Sequence, residues 1–237
     1  MGLIAKSPVR QHFSLKPEKR MDYIIYHPKR EEIEIDNFKV YCDSFENNQD
    51  PYIWNKKFLH SFCHITQISV KEGDTIFWVT NQNSKKEDII YCDLIFVIGE
   101  KIYWEKEITN NIKSSNSIVE NHKIFEHHYK WVNRPYNQHH FKRRRRYTLK
   151  SNPERSFQPL EKNNKLIEFY PILNKIGLCK ESIINKMFKT KNGKNAINTY
   201  PFHLENKMAK LLYKEIYIKS SKRITGNMLS NKHPQKI

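Results

Sequence analysis

The sequence predicts an α+β protein, with a mixed, mainly antiparallel sheet or partly open barrel followed by a helical, basic C-terminal region. Two long runs, TIFWVT at 75–80 and IIYCDLIFVI at 89–98, predict the centre of the sheet. Each run is apolar on both faces, which is typical of a strand covered on both sides. The polar loop NQNSKKED between them predicts that the two strands form a hairpin. Apolar residues at helical spacing after residue 180 predict the helical end.

Shorter patterns predict the elements that precede this hairpin. DYIIY at 22–26 and FKVYC at 38–42 are rich in β-branched and aromatic residues, which favours strands. WNKKFLHSFCH at 54–64 spaces its aromatic residues at helical intervals, so a short helix is expected there. The dipeptide Gly73-Asp74 predicts the turn that leads into the first long strand.

Helices are predicted again in the second half of the chain. Ser117 and Glu120 match a capping box, and the apolar stripe that begins there ends before Pro135. Two further apolar stripes follow, Ile183, Ile184, Met187 and Phe188, then Leu204, Met208, Leu211, Leu212 and Ile216, the second with Lys207, Lys210 and Lys214 opposite. The predicted organisation is a flexible arm at 1–20, an α+β core at 21–175, a helical basic region at 176–219 and a flexible tail at 220–237.

Composition limits the class of protein. A chain of 237 residues with 13 Phe and 13 Tyr can bury a sizeable core. The N-terminal residues lack the apolar segment of a signal peptide, and no apolar run is long enough to span a membrane. The four cysteines are scattered, which favours reduced thiols in a cytoplasmic protein without a membrane partner: Cys42, Cys63, Cys92 and Cys179. Oligomeric state is not indicated by any pattern.

The excess of positive charge is confined to the second half of the chain. Residues 1–120 contain 16 Lys and Arg against 18 Asp and Glu, whereas residues 121–237 contain 26 against 7. The formal net charge of +17 therefore comes entirely from the second half. Such asymmetry predicts a polyanionic partner, of which nucleic acid is the commonest. The competing interpretation is a solvated lysine-rich surface.

HHFKRRRRYTLK at 139–150 concentrates this charge. Guanidinium groups match phosphate oxygens, and aromatic rings stack on splayed bases, so the mixture predicts contact with single-stranded or flipped nucleotides. Surface charge and a signal or partner motif are the alternatives. The candidate nucleic-acid contacts are Trp131, Tyr136, Lys142, Arg143, Arg144, Arg145, Arg146, Tyr147 and Lys150.

The stretch EGDTIFWVT followed by DLIFVIGEKIYW, within residues 70–104, resembles the core of the PUA-like superfamily, which includes EVE and ASCH domains. In that superfamily a Gly-Asp turn feeds a strand, and the next long strand completes a small barrel. The resemblance implies a pocket that binds RNA or modified DNA between aromatic walls. The aromatic candidates here are Trp54, Phe77, Trp78, Trp104 and Trp131.

A metal-dependent nuclease or base-processing enzyme is the second hypothesis. Asp93 stands within an apolar run, where a carboxylate is costly unless it is paired or protonated. Together with Glu100, and with His64 or His128, it would hold the metal ion and orient water. His60, Cys63 and His64 form a weak zinc candidate, because a helix would place both histidines on one face. No P-loop or dinucleotide fingerprint is present, so no cofactor is predicted. The third hypothesis is a basic module that binds an acidic protein.

Overall fold

The computed structural model describes seven parts of the chain, and all structural statements below concern these residues: 20–26, 31–42, 60–61, 69–81, 89–103, 147–188 and 201–229. The strands are β1 (Asp22–Tyr26), β2 (Glu31–Ile35), β3 (Phe38–Cys42), β4 (His60–Ser61), β5 (Thr75–Thr80), β6 (Tyr91–Tyr103), β7 (Tyr147–Ser151), β8 (Gln158–Leu160), β9 (Ile167–Glu168), β10 (Phe202–Leu204) and β11 (Lys222–Ile224). The helices are α1 (Tyr170–Lys175), α2 (Lys180–Phe188), α3 (Asn206–Lys219) and a short 3-10 helix (Gly226–Met228).

The main sheet has seven strands in the order β10-β1-β5-β6-β7-β4, with β9 also paired to β6. β1 and β5 run parallel, and every other neighbouring pair in this sheet is antiparallel. The sheet is therefore mixed and mainly antiparallel, as the sequence predicts. It is open in the described part of the chain, so the open sheet forms and not the barrel.

Two apolar layers cover the sheet. Side chains of β1, β5 and β6 alternate between the layers, so Ile24 and Phe77 face one cluster while Ile25 and Trp78 face the other. The three α-helices cover the side of Ile24 and Phe77, and the β2–β3 hairpin, β8 and β11 cover the side of Ile25 and Trp78. All six residues of β5 are buried. This confirms the prediction that the two long apolar strands are covered on both faces.

The predicted turn and hairpin also form. Gly73 has a φ of +86°, and its amide donates to the carbonyl of Ile98 at 2.8 Å. β5 then pairs antiparallel with β6 from Thr75–Val97 to Thr80–Tyr91. A register shift between Trp78 and Val79 marks a bulge opposite the Cys92–Leu94 stretch.

The β2–β3 hairpin was only half predicted, because β2 is the acidic sequence EEIEI. Its isoleucines alternate with glutamates, so Ile35 is buried while Glu32 and Glu34 are exposed. The turn residues Asp36 and Asn37 have φ values of 51° and 64°, which is the geometry of a type I′ hairpin turn. Period-two alternation and an Asp-Asn turn were the missed signals.

α2 packs on the sheet through the stripe that the sequence predicts. α3 also packs on the sheet, but its buried stripe is rotated about the helix axis relative to the prediction. Ile183 and Met187 of α2 are buried as expected. On α3, however, Leu211 is exposed and Ala209 is buried instead, together with Leu212 and Ile216. Leu204 lies in β10 and not on the helix. The predicted stripe was wrong at Leu204 because a β-strand, not a helical turn, precedes Asn206. It was wrong at Leu211 because the helix turns Ala209, Leu212 and Ile216 toward the sheet instead.

Three further expectations need correction. His60 and Ser61 belong to β4, which pairs with β7, so the helix predicted across 54–64 does not form at these residues. The predicted tail is ordered structure as far as Leu229, because β11 pairs with β8 and Ile224 is buried. The described residues within 176–219 share one buried cluster with the sheet, so they are not separate from the core. The helix predicted from Ser117 lies outside the described residues.

Within the described residues, no helix combines the length and the apolar character needed to cross a membrane.

Candidate nucleic-acid interface

Most of the predicted contact residues lie outside the described parts of the chain: Trp54, Cys63, His64, Trp104, His128, Trp131, Tyr136, Lys142, Arg143, Arg144, Arg145 and Arg146. Tyr147 and Lys150 are described, and both belong to β7. Tyr147 pairs with Tyr103 of β6, and Lys150 lies between Glu100 of β6 and His60 of β4. β7 therefore begins at the residue that follows the arginine run in the sequence.

Phe77 and Trp78 do not face one pocket. They are consecutive in β5 and belong to the clusters on opposite sides of the sheet. Both side chains are fully buried. The sheet itself separates the two rings, so they act as core residues and cannot wall a single aromatic cage.

Asp93 and Glu100 cannot hold one metal ion. Both lie in β6, seven residues apart, and an extended strand of that length spans roughly 23 Å. Asp93 is 1% exposed, whereas Glu100 is at the surface. Asp93 stands beside the bulge of the β5–β6 ladder, and its charge contributes with burial to raising the pKa of the Cys92 thiol well above its usual range. Burial is the larger cause of that shift.

A metal centre is not assembled by the described ranges, in which no three His, Cys, Asp or Glu side chains cluster as ligands would. The zinc candidate required His60 and His64 to share a helix face. Because His60 lies in a strand, that spacing argument no longer holds.

The described residues do form a basic surface, on α3. Lys207, Lys210 and Lys214 are all exposed and follow one another at intervals of three and four residues, which places them on one side of the helix. We call these three residues the lysine face. None of them belongs to an ion pair among the described residues.

Two carboxylates close to α3 are already paired with lysines, whereas the exposed Glu205 at its N-cap is in no ion pair among the described residues. Glu215 binds Lys175 of α1 at 2.5 Å, and Glu161 binds Lys219 at 3.3 Å. The Lys175–Glu215 pair lies away from the lysine face, because Glu215 is about 100° from Lys214 around the helix axis. The lysine face is therefore a concentrated positive surface.

Aromatic rings and one arginine form a stack at the C-terminal end of this helix. Tyr213 and Tyr217, one turn apart, are nearly parallel, with centroids 6.3 Å apart. Phe157 meets both edge-on at 5.8 Å. The Arg223 guanidinium lies over the Tyr217 ring, 4.0 Å from its centroid. We call Phe157, Tyr213, Tyr217 and Arg223 the tyrosine stack.

Local hydrogen bonds explain why Arg223 occupies this place. The last turn of α3 leaves carbonyl groups unpaired within the helix. The hydroxyl and amide of Ser220 both donate to the carbonyl of Ile216. Nη1 of Arg223 donates to the carbonyls of Tyr217 and Ser220 at 3.0 and 3.2 Å. Arg223 thus caps the helix, while its Nε and Nη2 have no hydrogen-bond partner among the described residues.

The two rings of the stack differ in exposure. Tyr213 is half-buried, and its hydroxyl donates to the carbonyl of Arg155 at 3.1 Å. Burial raises the pKa of this phenol, although nearby Arg155 opposes the shift, so the donating proton is held more firmly. Tyr217 is 44% exposed, and its neighbour Ile218 is 63% exposed. One aromatic surface is thus presented to solvent beside the lysine face.

No family model matches the chain, and no curated protein or solved structure matches it significantly. The resemblance of residues 70–104 to the PUA-like superfamily therefore stays a prediction. The tyrosine stack was not predicted from the sequence. Its available signal was Tyr213 and Tyr217 at an interval of four, next to lysines at 210 and 214.

Proposed function

We propose that this protein binds nucleic acid, with RNA or modified DNA as the ligand class that the PUA-like resemblance implies. The observation that carries the proposal is the lysine face of α3, a row of exposed cations with half-exposed Tyr217 at its end. Lysine side chains neutralise phosphates and release bound counterions, which supplies affinity without sequence readout. The excess of 26 cationic over 7 acidic residues in residues 121–237 supports the same partner.

The arginine segment provides the second set of contacts in this proposal. Lys142, Arg143 to Arg146 and Lys150 contact phosphates, and the neighbouring aromatic residues Trp131, Tyr136 and Tyr147 stack on bases. The segment is joined to the sheet at Tyr147, the first residue of β7. A cytoplasmic location, expected from the scattered cysteines, fits this proposal, and both Cys92 and Cys179 are free thiols.

Fluorescence anisotropy with labelled RNA and DNA oligonucleotides at several salt concentrations tests the proposal. Each phosphate contact adds about 0.7 to the slope of log affinity against log salt for a single strand. We therefore expect micromolar or tighter binding that weakens steeply with salt. Absence of binding at micromolar protein, or binding that is indifferent to salt, would contradict the proposal and favour the acidic-protein partner.

Two charge-removal variants locate the interface. The triple variant Lys207→Ala, Lys210→Ala, Lys214→Ala should lower the salt slope by about 2, since three contacts are lost. Its control removes three exposed lysines from the β8–β9 turn and α2, namely Lys162, Lys165 and Lys186. The control has the same net charge and should keep the wild-type slope. Equal losses in both variants would mean that net charge alone, and not the lysine face, attracts the ligand.

A further inference from the structure

The tyrosine stack contains groups that a purely phosphate-binding surface does not need. Phosphates require cations and hydrogen-bond donors, whereas Tyr217 presents a ring that is 44% exposed. The Arg223 guanidinium lies over one face of that ring, 4.0 Å from its centroid, so it extends the stack of tyrosine rings by one further group. Planar aromatic and guanidinium groups are the surfaces on which unpaired bases stack.

We propose that the ligand is a single strand, and that one of its unpaired bases stacks on the guanidinium of Arg223, which the Tyr217 ring supports on its other side. This inference rests on the proposed nucleic-acid binding and specifies its ligand. In a duplex the base faces are covered by their neighbours, so a planar group on the protein surface has nothing to stack on. In a single strand the base is free to leave its neighbours and lie against the guanidinium.

The geometry of α3 lets the stack and the lysine face act on one strand. Lys210 and Tyr217 are seven residues apart, so they lie on the same side of the helix, separated by about 10 Å along its axis. A strand that runs along the helix therefore has phosphates beside the lysines and a base beside Tyr217. The Nε and Nη2 groups of Arg223 can donate hydrogen bonds to a phosphate or to a base edge of the same strand.

The stack is also held in place before any ligand arrives. Phe157 contacts both tyrosine rings edge-on, and the Tyr213 hydroxyl donates a hydrogen bond to the Arg155 carbonyl. Arg223 is anchored by its two bonds to the end of α3. Little side-chain entropy is lost when such a surface binds, which favours affinity.

The test compares one sequence in two forms, a single-stranded oligonucleotide of about 12 nucleotides and its duplex, a length within the usual range for single-strand sites. A 2-aminopurine base in the strand reports stacking through its fluorescence. The full-length protein should bind the single strand more tightly and change the 2-aminopurine signal. Tyr217→Ala removes the ring that supports the guanidinium and should weaken single-strand binding about 5- to 150-fold, the usual range for loss of one stacked base.

The salt slope separates stacking from charge. Tyr217→Ala should leave the slope unchanged, whereas Lys214→Ala should lower it by about 0.7. Tyr217→Phe keeps the ring and should keep both affinity and the 2-aminopurine signal. Ile218→Ala, at a neighbour that is more exposed and carries no ring, serves as the control. Thermal unfolding of each variant reports whether the fold is retained, and Tyr217→Leu replaces the alanine variant if it is not.

The outcomes separate the two proposals. If the protein binds the duplex as tightly as the single strand and Tyr217→Ala changes neither, the stacking inference is overturned while nucleic-acid binding stands. If neither form binds, both are overturned. If single-strand binding falls in Tyr217→Ala and Ile218→Ala alike, the loss is apolar contact in general, and the stacking inference is again overturned.

Discussion

Asp22 and Asp74 each accept a hydrogen bond from a backbone amide next to the other, across the only parallel strand pair among the described elements. The carboxylate of Asp22 accepts from the amide of Thr75 at 2.7 Å, and that of Asp74 accepts from the amide of Met21 at 3.1 Å. Each carboxylate thus binds the residue next to the other one. The second oxygen of Asp74 also accepts from the amide of Lys71 at 2.8 Å. These hydrogen bonds fix where β1 and β5 begin and set their register.

This pair predicts a pH-dependent stability. Burial raises the pKa of both carboxyl groups, and their mutual repulsion adds to the shift of Asp22. A raised folded-state pKa gives a contribution to stability that is present below the unfolded pKa and is lost as pH rises through the folded pKa. Asp22→Asn keeps an oxygen for the Thr75 amide without a charge. We expect it to be at least as stable as wild type at pH 7, with the difference shrinking toward pH 4.

Asp22→Ala is the contrasting variant, because it leaves the buried Thr75 amide without its acceptor. The free energy of unfolding should fall by about 1–3 kcal/mol. Urea unfolding of both variants between pH 4 and pH 7.5 measures the two effects. If the asparagine variant is as unstable as the alanine variant at pH 7, the charge of Asp22 itself holds the strands, through Arg20 or His203.

Gly99 permits the close approach of β6 to the turn after β7. A Cβ atom at this position would lie 2.9 Å from both the Cα and the backbone nitrogen of Asn152. That nitrogen is tied to the carbonyl of Val97 at 2.7 Å, so the turn cannot move away cheaply. Gly99→Ala should lower the free energy of unfolding by about 1–3 kcal/mol, as over-filled sites do. Chemical denaturation measures it, and an unchanged midpoint would contradict the contact.

The side-chain amide of Gln158 joins β8 to the β2–β3 hairpin, because it bonds to backbone groups of β3 as a neighbouring strand would. Its Oε1 accepts from the amide of Tyr41 and its Nε2 donates to the carbonyl of Lys39, both at 2.8 Å. Gln158→Leu leaves both backbone groups without that partner and should cost about 1–3 kcal/mol for each buried group. The measurement is urea unfolding.

The acid variant at the same position adds a pH signature. Gln158→Glu retains an acceptor but donates to Lys39 only when protonated. Burial would raise the pKa of this new carboxyl, so the stability of the variant should recover as pH falls from 7.5 to 5. A leucine variant as stable as wild type, or a glutamate variant insensitive to pH, would show that the bridge contributes nothing.

The segment 104–146 connects two residues that are paired in the sheet, Tyr103 of β6 and Tyr147 of β7. Its 43 residues carry ten Lys and Arg against four Glu. Replacing the segment by Asn-Gly would join the paired tyrosines through a two-residue hairpin turn. We expect the folded core to be retained and nucleic-acid affinity and salt slope to fall. A 43-residue Gly/Ser replacement is the control for length, and unchanged affinity would exclude the arginine segment as a contact.

The central hairpin was predictable because its signals are local. The apolar composition of residues 75–80 and 91–98 indicates buried strands, and Gly73-Asp74 indicates the turn before them. The amphipathic helices α2 and α3 were predictable for the same reason, although the buried side of α3 was misplaced at Leu211. Periodicity gives the type of element well and its rotation less well.

Non-local pairings were not predictable in this way. Nothing in DYIIY indicates that β1 runs parallel to β5 and lies beside β10, because hydrophobic alternation does not specify a neighbour. The two-residue strand β4 was predicted as part of a helix, because the aromatic residues around it are spaced at helical intervals. At the candidate interface, the positive charge of α3 was visible in sequence, but Arg223 meets Tyr217 only because β11 folds back along the end of the helix.

The position of β1 has a consequence for biosynthesis. Tyr23 pairs with Ile76 on one side and with His203, 180 residues later in the chain, on the other. At ribosomal speeds of 5–20 residues per second, roughly 10 to 40 s pass before that second neighbour is made. Until then the nascent chain presents an unpaired strand edge, the kind of surface that recruits chaperones or nucleates aggregation. A premature stop codon before residue 201 would make that temporary vulnerability permanent.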